Sequence, residues 1–111
     1  MKGFRLKPNI WISALRRRAE MAGAFVVMIK SGDPDGGSIV IQTLSPDGSI
    51  SLYTGQTQMD GTRAWAVQTA LTPETLEERL SRLKKMDEDI WIVEVMDAQG
   101  RHFIDEPILT S

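Results

Sequence analysis

Three successive arginines, Arg16, Arg17 and Arg18, are the first residues of the sequence that could do chemistry, since clustered cations can hold phosphates. On a helix turning by about 100° per residue, Arg18 falls inside the apolar arc near Leu15, two turns from Trp11. The other two arginines point to solvent, so the three cannot form one patch. We expect Arg18 to lay its stem on the Trp11 ring and to pair with a carboxylate.

Glu94 is the natural partner for Arg18, because it interrupts one face of an otherwise apolar strand. If that face is covered, Glu94 must be paired or protonated, since an unpaired buried carboxylate is costly. The pattern predicts an Arg18–Glu94 ion pair between the first helix and the last long strand, near Asp89. Two alternatives stay open for Glu94: an edge position open to water, or a general acid or base.

The segment around Asp33 and Asp35 resembles a calcium loop because Gly36 and Gly37 follow at once. An EF-hand needs a glutamate at the twelfth position, and that residue is Leu44. A plain turn is favoured, with an anion site of exposed backbone N–H groups as the alternative.

His102 is the single histidine, and the sequence predicts it to lie at the surface, where Asp97 and Asp105 could meet it across a hairpin. No G-x-S-x-G, P-loop, G-x-G-x-x-G or H-E-x-x-H pattern is present. We therefore predict no catalytic residue, no cofactor and no metal. Whether the chain is an enzyme stays open, and a non-enzyme is favoured.

Trp11, Trp65 and Trp91 each lie in an apolar pattern, which predicts core packing. Three indoles are hard to bury completely in a small domain, so a contact surface at one of them is an open alternative.

Composition indicates one globular domain over residues 1–111, with 41% hydrophobic and 25% charged residues. The net charge is −2, which disfavours nucleic acid and anionic membrane as partners. The chain has no cysteine, which excludes disulfides and thiolate metal sites. No secretory pattern and no apolar run of about 18 residues is present, so the predicted location is the cytoplasm.

The elements follow from periodicity and from Gly and Pro positions. A helix is predicted over Ile10–Ala22, capped by Asn9 and closed by Gly23, and a second begins at Thr72-Pro73 with a leucine stripe at Leu76, Leu80 and Leu83. Strands are predicted at Ala24–Lys30, Ser38–Leu44, Ser49–Thr54, Thr62–Gln68, Asp89–Met96 and, as a short return, His102–Ile104.

The predicted fold class is α+β: a mostly antiparallel sheet of four to six strands with two helices packed on one face, in the order α-β-β-β-β-α-β-β. The first three strands are expected to form an antiparallel meander. Ala24–Lys30 is apolar on both alternating sets, which predicts a strand that is covered on both faces or central in the sheet.

Many residues resemble the alphaproteobacterial family known as domain of unknown function 1491. They are Arg5-Leu6, Ile10-Trp11, Ala14-Leu15, Arg17-Arg18, Ala22-Gly23, Lys30, Gly32-Asp33, Asp35, Gly37, Asp87, Asp89-Ile90-Trp91, Val93-Glu94, Asp97, Gly100-Arg101 and His102-Phe103. The resemblance implies a bacterial cytoplasmic protein and names no site.

The leading functional prediction is a non-catalytic interaction or regulatory module, acting through a protein partner or a homodimer. The alternative is a small-molecule or anion-binding protein, with an enzyme included in that class. This alternative uses Arg18 and Glu94 near Asp89. The predicted binding residues of the chain are Arg18, Glu94, Asp89, Trp11, Trp91 and Arg17. Weak nucleic-acid binding is the third hypothesis, through Arg5, Lys7, Arg16 and Arg17.

Overall fold

The computed structural model describes residues 6–109, which form two helices and a six-stranded sheet. The elements are α1 (Pro8–Met21), β1 (Phe25–Lys30), β2 (Ile39–Leu44), β3 (Ile50–Thr57), β4 (Arg63–Leu71), α2 (Pro73–Met86), β5 (Trp91–Met96) and β6 (Ile108–Leu109). The α+β class and the order α-β-β-β-β-α-β-β are confirmed.

The strand order in the sheet is β1-β5-β2-β3-β4-β6. Strands β2, β3 and β4 form an antiparallel meander, and β5 lies antiparallel to β1 but parallel to β2. The predicted meander of the first three strands is therefore wrong, because β5 separates β1 from β2. Glycines permit this insertion: a Cβ at Gly32 or Gly37 would overlap the carbonyl oxygen of Asp89, which comes just before β5.

The two helices lie on opposite faces of the sheet, so the prediction that both pack on one face is wrong. Strand side chains alternate between faces. Val93 and Val95 join the core under α1, whereas Ile92 joins the smaller core under α2. We call these the α1 face and the α2 face. Strand β5 lies inside the sheet, and it has apolar side chains on both faces. Helix α1 covers those on one face, and α2 covers those on the other.

Helix α1 begins at Pro8, two residues earlier than predicted. Lys7 is the N-cap, and proline suits the first helical position because its missing N–H would have no helical partner there. Asn9 lies inside the first turn and is not the cap. Gly23 follows the helix at φ 90°, as predicted for the residue that ends it, and its N–H donates to the carbonyl of Glu20.

Helix α2 begins as predicted, with Thr72 as N-cap and Pro73 behind it. The hydroxyl of Thr72 accepts from the backbone N–H of Thr75, and the Thr75 hydroxyl accepts from the backbone N–H of Thr72. Leu76, Leu80 and Leu83 pack on the α2 face but are only partly buried.

Strand β1 forms an edge of the sheet and is not covered on both faces, contrary to the prediction. Phe25, Val27 and Ile29 are 70%, 41% and 47% exposed, while Val26 is buried under α1. The apolar residues on the second side of this strand therefore face outward.

The segment His102–Ile104 is not a strand, contrary to the prediction. It forms an irregular connection in which Phe103 takes a positive φ of 63°, and the chain then continues to β6, which pairs in parallel with β4. Within residues 6–109, no helix has the length and apolar character needed to cross a membrane.

Candidate functional site

Arg18 turns inward from α1 toward the segment before β6. Its Nε and Nη2 atoms donate to the carbonyl oxygen of Phe103 at 3.2 and 2.8 Å. The nearest carboxylate oxygen paired with it is Oδ1 of Asp105, at 3.5 Å from Nη2. The guanidinium is thus fixed by a neutral carbonyl and only loosely neutralised by an acid.

Glu94 does not pair with Arg18, so that prediction is wrong. Glu94 lies on the α2 face, between Val27 of β1 and Gln42 of β2, whereas Arg18 lies on the α1 side. Its Oε2 atom accepts a hydrogen bond from Nε2 of Gln42 at 3.2 Å. The sheet itself separates the guanidinium from this carboxylate.

Gln42 is an unusual neighbour for Glu94 because it is only 8% exposed. Its Oε1 atom is buried and accepts no hydrogen bond from the described residues. An unsatisfied buried acceptor costs about 1–3 kcal/mol. The polar pair therefore lowers the stability that an apolar pair would give at this position.

Trp11 and Trp65 stack in the core under α1, with ring centroids 5.0 Å apart. The guanidinium over the Trp11 ring is that of Arg63, at 5.6 Å from the centroid, and it lies 5.9 Å from the Trp65 centroid. The indole Nε1–H of Trp65 donates to Oε1 of Glu106 at 2.8 Å. Arg63 thus takes the aromatic contact that we predicted for Arg18.

A cleft of about 230 Å³ opens beside this stack, between α1, β4 and the segment before β6. We call it the α1 cleft. Its lining residues are Leu6, Trp11, Ala14, Arg18, Arg63, Asp105 and Glu106. A second cavity, of about 370 Å³, shares Leu6 and Arg63 with it and is also lined by Lys7 and Asp35.

The other predicted binding residues lie outside the α1 cleft. The buried indole of Trp91 donates from Nε1 to the carbonyl oxygens of Asp33 and Gly36, at 3.0 and 3.1 Å. Asp89 uses its carbonyl oxygen to accept from the N–H of Asp33. Arg17 is exposed on α1. Of the six predicted residues, only Arg18 and Trp11 line one cleft.

The loop at Asp33 is a turn, as predicted, although it does not connect hairpin partners. The N–H of Gly36 donates to the Asp33 carbonyl, and the N–H of Asp35 donates to Oδ1 of Asp33 at 3.2 Å. All three tryptophans are at most 6% exposed, so none forms an exposed aromatic contact surface.

His102 is half-buried, not at the surface as predicted. Its ring centroid lies 5.0 Å from that of Tyr53, and Nδ1 accepts the N–H of Ile104 at 2.8 Å. Burial lowers the pKa of His102.

Asp97 binds Arg101 and not His102. Its Oδ2 atom accepts from Nε of Arg101 at 2.8 Å and from the Arg101 backbone N–H at 2.9 Å. The side-chain hydrogen bond from Arg101, followed by the backbone one, lowers the pKa of Asp97 to about 2. This pair closes the turn after β5 and has a structural role.

The basic residues considered for nucleic acid are dispersed. Lys7 pairs with Asp35, and Arg16 pairs with Glu20 while donating to a β1 carbonyl. Arg5 lies outside the described residues. Among the residues described, no group of three His, Asp or Glu side chains is arranged to hold a metal ion.

The outward side of β1 is apolar and exposed. We call Phe25, Val27 and Ile29 the β1 surface. Lys30 is the charged residue of this strand, and its Nζ is turned away to the carbonyl oxygens of Glu88 and Ile90, at 2.9 and 3.1 Å. Sequence reasoning missed this surface because it attributed all the apolar residues of β1 to the core.

One mixed sheet with a helix on each face, an open edge strand and a cleft under the first helix defines a small α+β domain. The family model for proteins of unknown function DUF1491 matches residues 6–105, and the chain belongs to this family.

Solved structures of the family share the fold. The crystal structure of a DUF1491 family protein from Caulobacter crescentus CB15 has a TM-score of 0.86 and 36% identity, covering 95% of this chain and all of that one. An NMR structure of a DUF1491 family protein from the same organism has a TM-score of 0.85 and 35% identity, over 97% and 100% of the two chains.

A third structure, of protein Atu0922 from A. tumefaciens, has a TM-score of 0.81 and 26% identity, covering 97% of this chain and 99% of that one. None of the curated proteins compared with the chain matches it. The family thus fixes the fold, and any function must be argued from the side chains.

Proposed function

We propose that the protein is a non-catalytic interaction module that associates with a second copy of itself through the edge strand β1. The observation that carries the proposal is the β1 surface, three exposed apolar side chains on an edge strand of the described sheet, which has β5 on its other side. Exposed edge strands normally carry charged side chains, which prevent them from pairing with strands of other molecules. Here the one lysine of the strand is folded away from the surface.

The strand is complementary to itself in one antiparallel register. With Val27 on the two-fold axis, Val26 lies opposite Met28 of the second copy. Phe25 comes close to Ile29 of that copy, at the point where the pairing of β1 with β5 shifts register between Met28 and Lys30. Side chains directly opposite in antiparallel strands contact one another. This register therefore joins apolar residues throughout and places no like charges opposite each other.

The backbone supports the same register. The carbonyl oxygen of Val26 accepts from Nη2 of Arg16 at 3.1 Å. We take this carbonyl to be directed away from β5. Alternate residues of a strand direct their backbone groups to the same side, so those of Met28 also face outward. Val26 and Met28 of two copies could then exchange hydrogen bonds once Arg16 releases the carbonyl.

Two other ways of joining copies are less favourable. Packing the two α2 faces against each other would bring the Glu94 carboxylates together, which costs free energy. The opposite edge of the sheet is the two-residue strand β6, which already covers β4 at Trp65 and Ala66. The β1 edge offers the longer run of apolar residues.

Sedimentation velocity over a concentration series tests the proposal. We expect a monomer–dimer equilibrium in the wild type. Val27→Lys would place two ammonium groups together at the two-fold axis and should raise the dissociation constant by at least about tenfold. The matched control is Met59→Lys, in the exposed turn between β3 and β4, which should dimerise like the wild type.

A monomer at every concentration would refute the proposal, and so would a Val27→Lys variant that dimerises as well as Met59→Lys. Because Val27 is 41% exposed, the lysine can reach water in the monomer and the fold should be kept. A cytoplasmic location is part of the proposal, since a chain without cysteine needs no oxidising compartment. Fractionation of cells that express the protein tests that location.

A further inference from the structure

We infer that the α1 cleft is a binding site for a small organic monocarboxylate. The cleft is independent of the β1 surface, because it lies beside β4 while β1 forms the far edge of the sheet. The inference therefore goes beyond the proposed self-association and can fail or succeed separately from it.

The first support is a guanidinium held ready for an anion. Arg18 is anchored by two hydrogen bonds to the carbonyl of Phe103, which fixes its position without neutralising its charge. Its acidic neighbour Asp105 is 62% exposed and its oxygen lies at 3.5 Å, longer than a charge-assisted hydrogen bond of about 2.8 Å. A carboxylate entering the cleft can compete with so loose a contact.

The second support is Arg63, which lines the same cleft from β4. Its planar guanidinium lies over the Trp11 and Trp65 rings, which limits its movement. Two arginines from different elements thus line one small space. Arg63 adds positive charge beside Arg18, whose planar N–H groups suit a carboxylate.

The walls and the volume limit the ligand. Leu6, Trp11 and Ala14 supply an apolar surface beside the two arginines. A volume of about 230 Å³ lies below the roughly 300 Å³ at which pockets for drug-sized ligands begin. The site therefore suits an acid with a compact apolar body.

The acidic side chains that line the cleft indicate whether its ligand carries one negative charge or two. Asp105 and Glu106 both line it, and Glu106 is held in place by the indole N–H of Trp65. A phosphate dianion would be repelled by these carboxylates more than a monoanion would. We therefore assign a carboxylate and not a phosphate.

Benzoate is a suitable probe, with benzamide as its neutral equivalent of nearly the same shape. In ¹H–¹⁵N spectra of the full chain, we expect benzoate to shift the indole N–H signals of Trp11 and Trp65 with a dissociation constant of about 1 mM. The signal of Trp91, which donates to loop carbonyls away from the cleft, serves as the internal reference. Benzamide and inorganic phosphate should bind at least about tenfold more weakly.

Two variants separate a binding role from a structural one. Arg18→Gln should weaken benzoate binding by about tenfold, while Arg17→Gln, next to it but exposed, should leave binding unchanged. Asp105→Asn removes the competing charge from an exposed position and should tighten binding about twofold to threefold, which a destabilised fold would not do.

The inference is overturned if benzoate leaves the Trp11 and Trp65 signals in place. It is also overturned if benzamide binds as well as benzoate, or if Asp105→Asn weakens binding. Tighter binding of phosphate than of benzoate would replace the assigned ligand class.

Discussion

Gln42 and Glu94, the polar pair on the α2 face, differ in burial. Substitutions in this pair therefore test how much burial governs the cost of an unsatisfied polar group. Gln42 is 8% exposed and has one bonded and one unbonded amide atom, whereas Glu94 is only partly buried. Replacing Glu94 with methionine leaves the Gln42 amide buried with no partner at either end. Methionine has nearly the length of both residues, so the change of volume is small.

The magnitudes follow from that difference. In Glu94→Met the hydrogen bond between Gln42 and the carboxylate is lost, and the buried Gln42 amide is left without a hydrogen-bond partner. We expect this variant to lower the free energy of unfolding by about 1–3 kcal/mol. Gln42→Met removes the unsatisfied acceptor and leaves Glu94 a path to water, so the loss should be below about 0.5 kcal/mol. The double variant, with methionine at both positions, leaves no buried polar atom without a hydrogen bond at this pair. It should therefore be more stable than Glu94→Met alone.

Urea unfolding, followed by the fluorescence of the three buried tryptophans, measures all four proteins. Equal losses in the two single variants would show that burial does not govern the pair. A double variant less stable than Glu94→Met would contradict the view that the unbonded Gln42 oxygen carries a cost.

Three further predictions concern the loop glycines and two titrating groups. Gly32→Ala should lower the free energy of unfolding by more than about 2 kcal/mol, because the new Cβ would overlap the Asp89 carbonyl. A Cβ at Gly36 would have its nearest atom at 3.8 Å, so Gly36→Ala should change the free energy of unfolding by less than about 1 kcal/mol. Burial lowers the pKa of His102, so wild-type stability should decline as the pH falls through about 6.5, and His102→Asn, which keeps a hydrogen-bond acceptor, should show a flatter urea-midpoint profile there. The pKa of Asp97 is lowered to about 2, so its stabilisation is complete above about pH 4 and is lost as the pH falls toward 2; Asp97→Asn should lack that acid-dependent step in the same measurement.

The parts of the fold that could be predicted are those with local causes. The start of α2 follows from Thr72-Pro73 and the end of α1 from Gly23, since caps depend on residues close in sequence. Strand positions follow from apolar runs between turns. The pairing of β5 between β1 and β2 could not be found this way, because it joins segments about 60 residues apart.

The exposed apolar side of β1 was hidden by the same apolar pattern that located the strand. A strand with apolar residues on both sides can be central, or it can be an edge that presents one side to a partner. The Arg18–Glu94 prediction failed for a related reason. Alternation places Glu94 opposite Val93 and Val95, but the sequence does not tell which of the two faces α1 covers.

The α1 cleft combines residues from α1, β4 and the segment before β6, so no single motif marks it. One signal was available: Arg63 and Trp65 are two residues apart on a strand, which places both side chains on one face. Glu106, which binds the Trp65 indole, had no such signal.

An isotope-filtered NMR experiment on a mixture of labelled and unlabelled protein tests the central claim most directly. We expect intermolecular contacts between the Val27 methyl groups of two copies, and between the Phe25 ring of one copy and the Ile29 side chain of the other. Dimers whose intermolecular contacts come from α2 or from the α1 cleft, with none from β1, would contradict it.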